Sequence, residues 1–310
     1  MLISVVIPTY NRLPILRKCL NALENQFFID DIHDYEIVIV DDGSTDGTTD
    51  WLRNNLNDFP HLRLLEQSHG GPAMGRNFGV SNSKGDLIVF IDSDLVVDKF
   101  FLCNHVNSLI SAWKKLGNRK CFTYGSVINT SNFNNPKSEP FKFQDLSWAY
   151  FATGNVAIDK KVLEISGLFD TSFRLYGWED LELGERLRNM GVKLIKCPKA
   201  IGYHWHPALD LDQIPHLIKI EKDRAKMGLV FYRKHPTLRV KFIIQYTFFH
   251  RCIWELLTFG GLINTKTIRP LLAFFIKNGQ PGAAMELLRI PLNLIGVRQI
   301  FREASLLGLR

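Results

Sequence analysis

Leu87-Ile88-Val89-Phe90-Ile91-Asp92-Ser93-Asp94 is the stretch on which the reading of this chain turns. Five apolar residues in a row fit a strand buried inside a sheet, and the run stops on two carboxylates placed two residues apart. Working back toward the N-terminus, the same grammar repeats. Ser4 to Ile7 is an apolar run followed by Leu13, Leu16, Leu20 and Leu23 at helical spacing. Glu36 to Val40 is another run, ending on Asp41-Asp42-Gly43-Ser44, and Leu62 to Leu65 is a third. A helix over about 73–82 precedes the quoted strand and one over about 98–116 follows it. Strand and helix alternate, which predicts a parallel α/β sheet. In such sheets ligands bind beyond the carboxyl ends of the strands, so polar groups at those ends carry most of the functional information.

Composition narrows the classes. In 310 residues, 46% are hydrophobic and 22% charged, which excludes a mainly disordered chain. No run of about 18 residues lacks a charge, which argues against a spanning helix. A strand starting at Leu2 leaves no room for a signal peptide. The cysteines, Cys19, Cys103, Cys121, Cys197 and Cys252, form no CxxC pair, so neither a zinc ribbon nor a disulfide framework is expected, and a reducing cytoplasmic setting fits. Charge divides the chain. From Pro215 onward there are 16 basic and 5 acidic residues, against 22 and 26 before it. The expected domains are therefore 1–214 and a basic, mainly helical region 215–310, the latter suited to an anionic membrane surface, another acidic partner or a homodimer contact.

Several groups have the makings of chemistry. Asp92 and Asp94 can address one hard divalent cation and leave room for diphosphate oxygens; the plain alternative is a solvated turn. Asp41-Asp42 can accept hydrogen bonds from a ribose or base, although Asp41 or Ser44 could simply cap the next helix. Gly70 to Asn77 nearly matches a P-loop, but Arg76 and Asn77 stand where Lys and Ser or Thr are required. Tyr176-Gly177-Trp178-Glu179-Asp180 sets a carboxylate pair beside aromatic residues. An apolar flank raises a carboxylate pKa, which suits a general base, and Trp178 offers a face for a sugar ring. In an extended Tyr203-His204-Trp205-His206, both histidines point to one face, and either could complete a metal site. The segment Asn129 to Pro140, rich in Asn and Ser, is expected to be an acceptor-facing loop.

Taken in order, Val5 to Arg12, Val40 to Asp46, Gly75 to Gly79, and Asp92-Ser93-Asp94 resemble the family 2 glycosyltransferases of GT-A fold. The block from Gly167 through Glu179-Asp180 to Arg186-Leu187 is similar to a segment of galactosyl- and N-acetylgalactosaminyltransferases. The resemblance covers about 2–206. It implies a Rossmann-like nucleotide-diphospho-sugar domain and an inverting transfer to a hydroxyl of a glycan or lipid-linked saccharide. Pro8, Tyr10 and Asp42 would then lie around the nucleobase, usually uracil, with Arg76 near the nucleotide and Asp92 near the ribose. Asp94, with His204 rather than His206, would hold Mn²⁺ or Mg²⁺. Asp180 would be the base and Glu179 would contact a sugar. The donor would be a UDP-sugar, with no role for nucleic acid. A sugar nucleotidyltransferase, or a non-catalytic carbohydrate- or membrane-binding protein, is the rival reading.

Overall fold

The computed structural model describes residues 1–28, 34–138 and 150–309. The chain packs as two compact units, one of residues 1–172 and 179–206, the other of 173–178 and 207–310. Residues 207–214 and the six around Trp178, placed by sequence with the N-terminal region, thus pack with the C-terminal one.

In the first unit, β1 (Leu2–Thr9), β2 (Asp34–Asp41), β3 (Leu62–Glu66), β4 (Leu87–Ile91), β5 (Leu95–Val97), β6 (Cys121–Thr130), β7 (Asn155–Asp159) and β8 (Lys193–Trp205) form one sheet. Its order is β3-β2-β1-β4-β7-β6-β8-β5. The helices of this unit are α1 (Leu13–Glu24), α2 (Thr48–Asn54), α3 (Pro72–Asn82), α4 (Phe101–Leu116), α5 (Lys160–Ile165) and α6 (Glu179–Asn189). Side chains alternate between two buried layers. Val5, Ile7, Ile37, Ile39 and Val89 pack with Leu16 and Leu20 of α1 and Val106 and Leu109 of α4. Val6, Val38, Val40, Ile88 and Phe90 pack with Val80 of α3 and Leu183 and Leu187 of α6. A strand buried on both faces has to be apolar throughout, which is why these strands appear in the sequence as unbroken runs. Helix α3 lies close on β1: a Cβ on Gly79 would stand 2.5 Å from Cγ1 of Val6.

The wholly parallel sheet expected from sequence is corrected. The strands β3, β2, β1 and β4 are parallel, but β7 runs antiparallel to β4, and β5 antiparallel to β8. In the second half of the sheet β6 runs antiparallel to β7 and parallel to β8, so both senses of pairing occur there. This change of direction positions the site. Only Asp92, Ser93 and Asp94 separate β4 from β5, and β5 pairs with the end of β8 in the register Leu95↔His204. The loop expected over 129–140 is also corrected in part. Asn129 and Thr130 belong to β6, held parallel to His204 and Trp205, and Pro136–Ser138 is a 3-10 turn; 139–140 lie outside the described residues.

The second unit contains α7 (Ile214–Lys234), α8 (Leu238–Ile243), α9 (Phe248–Leu257), α10 (Arg269–Lys277) and α11 (Pro281–Leu306). Leu209, Ile214, Leu272, Leu288 and Leu292 form its buried cluster. The stretch from Val240 to Ile263, rich in apolar residues, is divided among short elements. It breaks at Gln245 (φ 58°), restarts at Thr247, whose side chain caps α9 by accepting from His250 N, and ends in a turn at Phe259–Gly261. No described helix is long and apolar enough to cross a membrane.

Candidate active site

The ends of β1 and β2 bring Pro8, Tyr10 and Asp42 together. Gly75 of α3 faces Pro8 so closely that an added Cβ would lie 3.2 Å from that of Pro8. Tyr10 is partly exposed, and its ring lies 4.3 Å from that of His69, tilted by 31°. Asp42 is buried and heavily engaged. Its Oδ1 accepts from Gly70 N at 2.8 Å and from Gln67 Nε2 at 2.7 Å; its Oδ2 accepts from Gly71 N at 2.8 Å and lies 2.9 Å from His69 Nδ1. The Gly70-Gly71 amides therefore serve a protein carboxylate rather than a phosphate, which removes the P-loop reading. Asp41 does not cap α2, whose N-cap is Gly47: its Oδ1 accepts from Ser44 N at 3.1 Å and its Oδ2 from the Thr49 hydroxyl.

At the end of β4 the two acids diverge. Asp94 Oδ1 lies 2.8 Å from His204 Nε2, and Oδ2 lies 4.0 Å from Arg12 Nε. Ligand atoms of Asp92, Asp94 and His204 all fall within 4.8 Å of one another. Burial pushes the Asp94 carboxyl up, but the His204 hydrogen bond and charge, with Arg12 and His206, leave it below its usual range. Burial pulls His204 down, and the Asp94 hydrogen bond and charge more than offset that and hold it above its ordinary value. The His206 ring lies 4.1 Å from that of His204, on the same side as the sequence spacing required. Burial first, then the neighbouring His204, lower His206 to about 4. Two carboxylates and one imidazole make a donor set that suits Mn²⁺, or Mg²⁺ with water, better than an all-oxygen calcium site.

A second cluster centres on Arg76 of α3, which is buried. Its Nη1 donates to Glu179 Oε1 at 2.8 Å and its Nη2 to Asp92 Oδ1 at 3.3 Å; its Cζ lies 5.5 Å from the Phe169 ring centroid. Burial lowers the guanidinium pKa, but Glu179, Asp92 and Asp180 together raise it above its usual value. Arg76 is thus the strut that joins the acids at the end of β4 to those opening α6. Glu179 is buried; Asp180 is half-buried, and its Oδ1 accepts from Leu181 N at 2.8 Å. Burial and the Glu179 carboxylate push Asp180 up to about 7, against the pull of Arg76. Three acids in the first turn are tolerated because the helix N-terminus is positive.

Sequence reasoning missed the supports of this site. Asn77 and Phe169 exchange two hydrogen bonds: Nδ2 to the Phe169 carbonyl at 2.8 Å and Phe169 N to Oδ1 at 2.9 Å. Arg186 bonds Glu182 at 2.7 Å and donates to the carbonyls of Ser166 and Leu168, which fixes the same loop to α6. His69 was also missed; its place just before Gly70-Gly71 was the one available signal. Trp178, expected to offer a face for a sugar ring, has several protein partners. In its own unit, its Nε1 donates to the Arg224 carbonyl at 2.7 Å, the Arg224 guanidinium lies 5.0 Å over its ring, and Phe231 lies 6.5 Å away.

A mixed sheet with acids at the ends of β2 and β4 and an acid pair opening α6 defines a GT-A nucleotide-sugar fold. The chain is similar in structure to the mannosyltransferase PcManGT from Pyrobaculum calidifontis, solved with GDP-Man and Mn²⁺. The TM-score is 0.62 at 19% identity, covering 99% of this chain and 88% of that one. It is also similar to GalNAc-T7, solved with UDP, GalNAc and Mn²⁺, with a TM-score of 0.53 at 17% identity over 72% of this chain and 47% of that one. An uncharacterised glycosyltransferase, YfnE of Bacillus subtilis (strain 168), is 26% identical over 258 residues, 66% of this chain and 65% of that relative. The chain therefore spans less than two thirds of that relative's length. The family model for glycosyl transferase family 2 matches residues 4–165. The chain belongs to this family of glycosyltransferases.

Proposed function

We propose that the chain performs an inverting, metal-dependent transfer of a sugar from a nucleoside-diphospho-sugar, a UDP-sugar by preference, to a hydroxyl of a glycan or lipid-linked saccharide. The observation that carries this reading is the Arg76 strut, which sets a cation-type acid pair beside a base-type acid pair. Asp94 and His204, with Asp92, are the residues that would hold the cation. When bound there, Mn²⁺ or Mg²⁺ supplies positive charge against the diphosphate leaving group. Tyr10 and Pro8 form the surface for the base, shaped from behind by Asp42 and the His69-Gly70-Gly71 turn. Asp180, held up to about 7, takes the proton of the acceptor hydroxyl as the new glycosidic C–O bond forms and the C–O bond to the diphosphate breaks. A single displacement on the face opposite the leaving group inverts the anomeric centre. Glu179 is occupied by Arg76 and so orients rather than abstracts.

The test is a panel of UDP- and GDP-sugars with and without Mn²⁺. The cognate donor is expected to raise the melting temperature only with the metal, because a ligand at ~100 times its dissociation constant stabilises the native state by about 2.7 kcal/mol. Slow release of nucleoside diphosphate should accompany it. Pyrophosphate-dependent conversion of the donor to nucleoside triphosphate and sugar 1-phosphate would instead establish a nucleotidyltransferase.

A further inference from the structure

The second unit displays an apolar strip with no protein partner to account for it among the described residues. Helix α9 has no buried residue. Phe248, Cys252 and Leu256 recur at four-residue spacing and so share one face, with Phe249 beside them. Phe248 is 75% exposed, Leu256 74%, and, in the turn and segment that follow, Phe259 68% and Leu262 74%. Leu271 and Phe274 of α10 are exposed as well. A monomeric protein rarely leaves so many large apolar groups of one segment in water without use.

Charge selects the occupant. From Leu238 to Lys277 there are six basic residues, Arg239, Lys241, Arg251, Lys266, Arg269 and Lys277, and one acid, Glu255. That acid is spent internally: Arg298 Nε donates to Glu255 Oε1 at 2.8 Å. A two-fold contact with a second copy would set this basic segment against itself, which like charges oppose. Exposed phenylalanines and leucines in a segment with this excess of Lys and Arg match instead the layering of an anionic bilayer surface, where apolar groups enter the acyl boundary and cations stay with the headgroups. We propose that the α9 face and the Phe259–Leu262 segment dock this unit on a membrane rich in anionic phospholipid, lying on it without crossing it. The proposal stands on the second unit alone and does not depend on the donor site.

Cys252 provides the test. It sits on the proposed face and is exposed, whereas the other four cysteines are buried, so a thiol-reactive, polarity-sensitive fluorophore marks this surface on the full chain. Vesicles of phosphatidylcholine with phosphatidylglycerol at low ionic strength are expected to shift its emission to the blue and to carry unlabelled protein upward in flotation. High salt should weaken both. Lys266→Gln and Lys277→Gln should each reduce partition roughly fivefold. Phe248→Ser with Leu256→Ser should abolish it while the circular dichroism and melting curve are kept; should that variant fail to fold, the lysine variants and salt series decide. No shift and no flotation at low salt overturns the proposal. So does equal binding to pure phosphatidylcholine, or a reversible dimer by sedimentation that masks Cys252 in place of vesicle binding.

Discussion

Arg76 Nη1 and Glu179 Oε1 stand 2.8 Å apart, both side chains buried, across 103 residues of sequence. Neither charge could remain there alone. Among the described residues the Arg76 Nε has no hydrogen-bond partner, so the guanidinium depends on Glu179 and Asp92 for its compensation. Arg76→Ala is expected to cost about 3–5 kcal/mol in urea unfolding, because it strands Glu179 in the interior. Arg76→Lys retains the charge but has one nitrogen for two acids. It should fold with a smaller loss and still fail in transfer. Full activity in Arg76→Lys would remove the strut from the mechanism.

Asp180 supplies a prediction in which stability and activity move in opposite directions. Its folded pKa of about 7 lies above the ordinary carboxylate value, so the native state holds this proton more tightly than the unfolded chain does. The stability tied to that proton is complete below the unfolded value of ~4 and is lost as pH rises through 7. Asp180→Asn cannot ionise. It should melt higher than the wild type at pH 8, by up to about 4 kcal/mol if the whole shift is relieved, and equally at pH 4. Transfer should fall on the order of 10²–10⁴-fold with donor binding retained. In the wild type, the acid limb of the rate profile should bend near pH 7, and it should vanish in Asp180→Asn. An unchanged acid limb in Asp180→Asn would assign the base elsewhere.

The parts of this molecule that were legible in the sequence are those in which a local pattern has one structural outcome. Strands β1, β2 and β4 are buried on both faces, so their apolar runs are unbroken, and the acids that stop them lie where ligands bind. Only the end of strand β8, at Tyr203 to Trp205, was legible; before it the exposed Lys193, Lys196, Pro198 and Lys199 break any apolar run, and the pairing with β6 shifts register at Gly125/Ser126. The anchoring of Trp178 was not legible because its partner carbonyl is 46 residues downstream, beyond any local pattern. Arg76 was recognised as belonging to the site, but its two acidic partners belong to different segments and only the fold unites them.

The Asp92, Asp94 and His204 cluster should account for metal affinity. Asp94→Ala and His204→Ala are each expected to weaken Mn²⁺ binding roughly tenfold or more in calorimetric titration. His206→Ala should spare it, since its ring nitrogens lie outside the cluster whose ligand atoms are within 4.8 Å. The pH dependence has a definite sign. His204 must lose its proton to serve as a ligand, and its pKa is raised by Asp94, so affinity should fall as pH is lowered from 8 toward 6. Loss confined to His206→Ala would transfer the role to the other histidine.

Asp42 separates two ways in which a residue can matter to nucleotide binding. A carboxylate that only touched the base would change affinity and leave the fold alone. Asp42 instead receives Gly70 N, Gly71 N and Gln67 Nε2 on its two oxygens and sits 2.9 Å from His69 Nδ1. In Asp42→Asn one oxygen becomes an amide NH₂, which confronts an N–H donor whichever way the side chain turns. Charge-assisted bonds to the turn are lost, and a buried donor goes unpaired, at a cost of about 1–3 kcal/mol. The turn carries His69, and His69 packs on Tyr10, so the surface for the base should loosen with it. The expected result is a lower melting temperature together with weaker UDP binding. His69→Ala should reproduce part of the binding loss with less effect on stability, because that ring is largely exposed. A drop in UDP affinity in Asp42→Asn with no change in melting temperature would show direct contact with the base instead.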